Sequence, residues 1–398
     1  MKYRKFGKLD WKVSALGFGA MRLPVIGEKQ AKINEPEAIK MIRYAVDNGV
    51  NYLDSAYLYH MGKSEVLVGK ALRNGYRKKI KVATKLPARM VEKAEDFDRI
   101  LSEQIQRLDI GMIDFYLLHG LNKEGWEKVR DLGVLKWAEE QMAKGLIGRL
   151  GFSFHDSFEV FKEIIDSYDN WVLAQVLYNY MDETEQAGRR GVEYAAGKGL
   201  AVVVMEPLRG GRLSKEPPKP VAKVLKSATR KIKGVEWAFQ WVWNQPEISV
   251  ALSGMSTMEQ VVENVKIADR SRPGIYTAAD LKVIGQIKEA YRSLCPIPCS
   301  NCRYCQPCPS KVEIPRVFQI YNDAVMYDDM KVGQFMYNGQ FGIPQDQRAD
   351  QCTECGECLE KCPQKIEIPD WLKKAHAALY MANPPGPPQP PPRPQQSR

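Results

Sequence analysis

The first 294 residues contain no cysteine. A framework of disulfides spread along the chain is therefore excluded. Also missing is any run of about 18 or more apolar residues, the length a membrane-crossing helix needs, so no membrane partner is expected. The N-terminus, Met1-Lys2-Tyr3-Arg4-Lys5, lacks the apolar segment of a secretory signal. A reducing, cytoplasmic location is the expectation. With 44% apolar and 27% charged residues, the composition is that of a globular chain, not a disordered one. The formal charge of +10 raises a nucleic-acid reading, with Lys223–Lys233 as its strongest stretch. That stretch has no interleaved aromatics and reads as the solvated face of an outer helix, so no nucleic acid is expected.

What is there is a rhythm. Short β-rich runs alternate with longer segments of helical period. The strand candidates are Val13–Phe18, Val50–Asp54, Ile80–Lys85, Ile113–His119, Ile147–Ser153, Val172–Val176, Leu200–Met205 and Ile248–Ser253. The first six begin 37, 30, 33, 34 and 25 residues apart, room for a helix and two loops each time. In the first gap, Ala38, Ile39, Ile42, Ala45 and Val46 make one apolar helical face. Asn34 and Pro36 start that helix, and Gly49 suits its end. Eight β/α repeats predict an α/β fold of the (β/α)8 TIM barrel type over residues 1–275; a doubly wound open sheet is the alternative. A bridging helix follows over 276–294. Residues 295–382 hold the cysteines, with helices expected at Val317–Met326 and Trp371–Met381. The end, 383–398, has eight prolines in sixteen residues and reads as disordered or polyproline II.

The cysteine region is an internal duplication. Cys299, Cys302, Cys305 and Cys308 stand as C-x2-C-x2-C-x2-C-P, and Cys352, Cys355, Cys358 and Cys362 as C-x2-C-x2-C-x3-C-P. The first three pairs are offset by 53 residues and the fourth by 54. Pro309-Ser310-Lys311-Val312-Glu313-Ile314-Pro315 runs parallel to Pro363-Gln364-Lys365-Ile366-Glu367-Ile368-Pro369. This is the spacing of bacterial-type ferredoxins, in which three close thiolates take three iron corners and the C-P cysteine reaches the other cluster. By that rule Cys299, Cys302, Cys305 and Cys362 hold one 4Fe–4S cluster, and Cys352, Cys355, Cys358 and Cys308 hold the second. Two zinc sites are the alternative; they predict two C-x2-C pairs per site. The 43 residues between the halves exceed those of a compact ferredoxin, and the helix expected there points to a mainly α-helical one. Cys295 is left over and reads as a buried free thiol.

At the C-terminal ends of the strand candidates, where barrels carry their sites, stand Asp54, Lys85 and His119, with Tyr59 in the loop after Asp54. Each alone has a dull reading as cap, solvated cation or packing. Together they fit proton transfer to a carbonyl. A tyrosine is a poor acid at pH 7; a nearby ammonium lowers its pKa, an aspartate keeps the ammonium placed, and a histidine orients the oxygen. His60, Met61 and Trp126 are read as loop residues near the mouth.

Asn51-Tyr52-Leu53-Asp54-Ser55-Ala56-Tyr57-Leu58-Tyr59 with Gly62 and Glu65, Val82-Ala83-Thr84-Lys85, and Asp114-Phe115-Tyr116-Leu117-Leu118-His119 resemble the aldo-keto reductase superfamily. Tyr3–Gly7 and Leu16–Leu23 resemble its N-terminal hairpin and first strand. The resemblance spans roughly residues 1–270. It implies a catalytic tetrad of Asp54, Tyr59, Lys85 and His119, with Tyr59 the general acid or base. It implies a small-molecule carbonyl or alcohol substrate, and NADP or NAD bound without a Rossmann glycine motif. It also implies cofactor contacts at Gly19, Met21 and Asp54, at Ser153 and Gln175 for the carboxamide, and at Met205, Pro207, Leu208, Gly210 and Leu213 in the loop over the pyrophosphate. Gly254, Ser256, Gln260, Glu263 and Asn264 resemble the adenosine segment. Phe154 stands where the family has asparagine, and Gln260 where an arginine grips the 2′-phosphate.

Aldo-keto reductases with a C-terminal ferredoxin-like domain form a subgroup that the whole chain resembles. Hydride carries two electrons and a 4Fe–4S cluster takes one, so coupling them calls for a converter such as a flavin; no flavin motif is present. Three readings follow: a nicotinamide-dependent carbonyl reductase or alcohol dehydrogenase with structural or regulatory clusters, an electron-transfer protein served by a ferredoxin or flavoprotein partner, and a non-catalytic redox sensor. The intact tetrad argues against the third.

Overall fold

The computed structural model describes residues 1–27, 32–339 and 342–382. The proline-rich tail lies outside the described residues. The chain divides into two compact units, Met1–Lys215 with Ile232–Leu281, and Glu216–Lys231 with the segment from Lys282 onward.

The first unit opens with an antiparallel hairpin, β1 (Tyr3–Phe6) and β2 (Leu9–Ser14). Eight parallel strands then close a barrel: β3 (Leu16–Gly19), β4 (Tyr52–Asp54), β5 (Lys81–Pro87), β6 (Ile113–Leu121), β7 (Ile147–Phe154), β8 (Leu173–Leu177), β9 (Ala201–Met205) and β10 (Ile248–Ser253). Each pairs with its successor, and β10 returns to β3 through Ala251 and Leu16. Closure at eight strands rules out the open sheet. The first strand candidate, Val13–Phe18, divides at Ala15. Val13 and Ser14 pair with Arg4 and Tyr3 in the hairpin, and Ser14 Oγ donates to the Leu16 carbonyl at 2.7 Å across the break. The hairpin closes one end of the barrel with Phe6, whose ring lies 4.9 Å from Phe115 and 5.8 Å from Tyr52.

The helices that follow the strands are α1 (Glu35–Asp47), α2 (Lys63–Leu72), α3 (Glu95–Leu108), α4 (Lys123–Asp131), α5 (Val134–Ala143), α6 (Phe158–Asp166) and α7 (Gly188–Gly197). After α8 (Lys219–Ser227) come α9 (Gly234–Asn244) and α10 (Met258–Ala268). In α1 the Asn34 side chain caps the Glu37 N–H, and Met41 joins Ala38, Ile42, Ala45 and Val46 in the buried face. The stretch Lys223–Lys233 is not one helix: α8 ends at Ser227 and falls with the second unit, whereas Lys233 belongs to the first and caps α9.

Past α11 (Ala278–Arg292), the second unit is helical: α12 (Ile314–Met326), α13 (Met330–Asn338), α14 (Glu357–Lys361) and α15 (Ile368–Leu379). Its apolar core joins Val312, Ile314, Val317 and Phe318 to Ile366, Ile368, Leu372 and Leu379, and six cysteines pack against it. The duplication persists in the backbone. Asn301, Arg303 and Lys311 have left-handed φ of 56°, 62° and 59°; the equivalent Glu354, Gly356 and Lys365 have 57°, 80° and 49°. Ile314-Pro315 and Ile368-Pro369 each open a helix, with proline in the first turn where no N–H is needed. The copies differ at the fourth cysteine. The extra residue before Cys362 accommodates the helical turn α14, whereas Cys305–Cys308 is joined without helix.

Candidate active site and metal centre

Asp54 ends β4 and Lys85 lies near the end of β5, one strand over. The parallel register pairs Asp54 with Ala83, and Lys85 with Leu117, two residues before His119 on β6. This stagger brings the three side chains to one mouth. Lys85 Nζ donates to both carboxylate oxygens of Asp54, at 2.6 and 2.7 Å, and to the Ser55 carbonyl at 2.7 Å. Both side chains are buried. The ammonium lies 5.0 Å from the centre of the Tyr59 ring. The rings of Tyr59 and His119 meet edge to face at 6.1 Å.

Burial disfavours the Lys85 ammonium, but Asp54 and Tyr59 together outweigh it and hold its pKa above the ordinary lysine value. Tyr59 departs from the expectation of a lowered pKa. Burial pushes the phenol above its usual range, Lys85 pulls it back, and Asp54 and Glu206 oppose Lys85. Its ground state is the neutral phenol, a proton donor. Burial, then Lys85, His155 and Arg89, push His119 well below the ordinary histidine range, so a neutral imidazole faces the phenol.

The backbone takes left-handed turns at two places beside this mouth. Gly120, at φ 65°, interrupts the β6–β7 register just past His119, and its N–H donates to Ser153 Oγ at 2.8 Å. His60 and Met61, both left-handed, carry the loop onward from Tyr59; His60 Nε2 accepts from the Leu23 N–H at 3.2 Å. His60 is buried and Met61 exposed. Trp126 is not a loop residue. Asn122 caps α4 directly after β6, and the indole is fully buried beside Trp171.

The expected cofactor residues fall on the same end of the barrel. Gln175 on β8 is buried, with Nε2 donating to Met205 Sδ at 3.8 Å and Oε1 without a partner. An orphaned acceptor at that depth fits the amide N–H of a nicotinamide carboxamide. Pro207 and Leu213 are buried, and Gly210 and Gly211 between them take left-handed φ. Gly254 lies against Arg22, where an added Cβ would stand 3.2 Å from that side chain. Ser256 donates through Oγ to the Arg22 carbonyl at 2.7 Å, and its N–H is taken by Gln260 Oε1 at 2.8 Å. Asn264 donates to Ser253 Oγ at 3.1 Å, Glu263 pairs with Lys233 at 2.6 Å, Gly19 adjoins the Ser253 carbonyl, and Met21 is exposed.

Sequence reading missed four contributors. The Ser55 carbonyl offered no signal. Arg22 is largely buried, and its guanidinium is pushed below the arginine range by burial, with Glu206 opposing and Arg212 reinforcing the shift. Glu206 acts on Tyr59 and on Arg22 from a left-handed position after β9. His155 was legible from strand alternation: Phe154 is buried against Phe161, so the residues on either side of it, Ser153 and His155, share the opposite face.

In the second unit, a pocket is lined by Cys305, Cys308, Cys352, Cys355 and Cys358. Burial raises the Cys358 thiol, and the thiols acting on it are those of Cys352, Cys308 and Cys355. Burial likewise raises Cys299, beside Cys302 and Cys362, and pushes Cys305 up to about 11, beside Cys299, Cys302 and Cys358. Cys308 lies with the thiols of the second motif and Cys362 beside Cys299 of the first, while Cys305 of the first motif adjoins both Cys299 and Cys358. Among the described residues no group of three or more His, Cys, Asp or Glu side chains is placed to hold a metal ion. Thiols ranged along a pocket wall fit a cluster with several iron corners. Cys295 is half-buried rather than buried.

The chain thus joins a closed (β/α)8 barrel, with Asp54, Lys85, Tyr59 and His119 at one mouth, to a cysteine-rich helical unit. Residues 15–273 match the Aldo/keto reductase family and residues 298–367 match the 4Fe-4S dicluster domain; the chain belongs to the aldo/keto reductase family. It is 28% identical over 286 residues to L-galactose dehydrogenase of Arabidopsis thaliana, covering 67% of this chain and 87% of that one. The aldo-keto reductase AKR11C1 of Bacillus halodurans, in its holo form, superposes with a TM-score of 0.60 at 28% identity, covering 72% of this chain and 96% of that one. An aldo-keto reductase of Klebsiella pneumoniae in complex with NADPH shares the fold, with a TM-score of 0.57 at 22% identity over 72% and 95% of the two chains. Among the described residues no helix is long and apolar enough to cross a membrane.

Proposed function

We propose that this protein is a nicotinamide-dependent oxidoreductase that interconverts a carbonyl and an alcohol, and that it carries two 4Fe–4S clusters. The observation that carries the reading is the Lys85 ammonium, held by Asp54 at 2.6 and 2.7 Å and 5.0 Å from the centre of the Tyr59 ring. Gln175 and Ser153 would hold the carboxamide. Arg22 and the Gly210–Gly211 loop would hold the pyrophosphate. A nicotinamide in that place supplies the hydride.

The remaining chemistry belongs to the chain. Neutral His119 and the Tyr59 phenol hydrogen-bond the substrate oxygen. As negative charge develops there, Tyr59 gives up its proton, and the adjacent ammonium stabilises the phenolate left behind. Asp54 keeps that ammonium charged and in place. In oxidation Tyr59 takes the proton back. Cys299, Cys302, Cys305 and Cys362 are assigned to one cluster and Cys352, Cys355, Cys358 and Cys308 to the other.

The test is anaerobic purification followed by NAD(P)H oxidation with a panel of aldehydes and ketones. Turnover that survives in Tyr59→Phe would sink the mechanism. The electron-transfer reading draws on the exposure of Cys302 and Cys355, one thiol per cluster. It requires that NAD(P)H or the alcohol bleach the clusters' visible absorption and that Cys305→Ala stop the reaction.

A further inference from the structure

The helix-facing side of the Asp54–Lys85 wall carries a buried polar group that the steps above do not use. Glu65, on α2, is fully buried. One carboxylate oxygen accepts from Thr84 Oγ1 at 2.6 Å and from Gln104 Nε2 at 2.7 Å. The other accepts from Arg107 Nη1 at 3.3 Å. From this carboxylate two arms extend. Gln104 Nε2 also donates to the Lys85 carbonyl at 3.1 Å, and the Tyr116 hydroxyl fixes the Gln104 amide from behind at 2.7 Å. Arg107 Nη1 also donates to the Tyr57 carbonyl at 3.3 Å, while its guanidinium covers the Tyr57 ring at 4.2 Å.

One arm thus ends on the backbone of Lys85, and the other ends two residues before Tyr59. Gly62 closes the Tyr59 loop against the same arginine. Its φ is 83°, and a Cβ there would stand 3.3 Å from Arg107 Nη1. Two apolar side chains would pack α2 on α3 without the desolvation of a carboxylate. Apolar packing would not tie both backbones to one point.

We propose that Glu65 is a positioning residue that sets the separation of the Tyr59 phenol and the Lys85 ammonium through Arg107 and Gln104. The inference rests on the roles given to Tyr59 and Lys85 above. The groups facing Tyr59 are Lys85 from β5, Asp54 from β4, His119 from β6 and Glu206 after β9. Lys85 is the cation among them, so its distance governs how readily the phenol ionises.

The test uses the full-length, cluster-loaded protein with 13C-labelled tyrosine, the Tyr59 signal being assigned with Tyr59→Phe. Glu65→Gln keeps the shape, but its amide nitrogen sets a donor against the donors of one arm. The Tyr59 titration midpoint should rise as the ammonium recedes. Maximal turnover should fall about tenfold, with nicotinamide affinity held within about twofold. A lower melting temperature with an unchanged Tyr59 midpoint would reduce Glu65 to scaffold and overturn the proposal. If Glu65→Gln does not fold, Gln104→Met cuts the Lys85 arm alone and is held to the same midpoint shift. A wild-type protein without NAD(P)H turnover counts against the reading of the site; the tyrosine titration then still decides the positioning role.

Discussion

Lys85 Nζ contacts both carboxylate oxygens of Asp54, at 2.6 and 2.7 Å, and both side chains are shut off from solvent. Such a pair costs more to break than to replace. Asp54→Asn strands an ammonium and should destabilise the barrel by about 3–5 kcal/mol in urea unfolding. Asp54→Asn combined with Lys85→Met should recover most of that stability without recovering turnover. A double variant as unstable as the single one contradicts this account.

Tyr59→Phe removes the proton donor and leaves the ring. Carbonyl turnover should fall by about 10²- to 10⁴-fold, while nicotinamide binding, followed by fluorescence, stays near wild type. Cys305→Ala, assayed in parallel, should retain turnover if the clusters are structural or regulatory.

The depressed pKa of His119 makes a statement about stability. An unfolded histidine titrates near about 6.5, and in the fold burial and Lys85 hold His119 well below that. Between the two values the unfolded chain binds the extra proton. The stability of the neutral imidazole is therefore complete above about pH 6.5 and is lost as the pH falls toward the folded value. Wild type should lose more stability than His119→Gln between pH 7.5 and pH 5.5. Parallel curves for the two proteins would remove His119 from the acid response.

Paired cysteine variants distinguish crossed from sequential ligation. The anaerobic wild type should hold about eight iron and eight sulfide per chain. Cys308→Ala with Cys352→Ala strikes one predicted cluster twice and should leave about four iron. Cys308→Ala with Cys299→Ala strikes both clusters and should leave little iron. The reverse pattern would establish sequential sites, and zinc without acid-labile sulfide would end the cluster reading.

Much of this was legible along the chain because it rests on local periods. The strands and helices follow from alternating and helical hydrophobic spacing, and the duplication from a repeated C-x2-C pattern whose left-handed positions recur in the backbone. Asp54, Lys85 and His119 stood out because barrel chemistry gathers at strand ends. Trp126 was misread because Asn122 starts α4 immediately after β6 and turns the indole inward. The basic stretch Lys223–Lys233 was misread as one helix because a solvated charge pattern does not show that the helix stops at Ser227 and that Lys233 caps the next one.

Taken alone, the residue order determines which groups are present and on which strand each one rides. It determines that eight cysteines form two like motifs and that an acid–base set lines up at successive strand ends. Tertiary structure decides everything that depends on distance and dielectric. Closure of the barrel brings Lys85 onto Asp54, and burial reverses the expected direction of the Tyr59 pKa. Packing of the second unit sets Cys308 among the second motif's thiols. Glu65 stands out in the sequence only as part of a family resemblance, with no role attached; the approach of α3 and β5 joins it to Lys85 and to the Tyr59 loop. Coulomb and desolvation energies depend on separations that sequence distance does not encode.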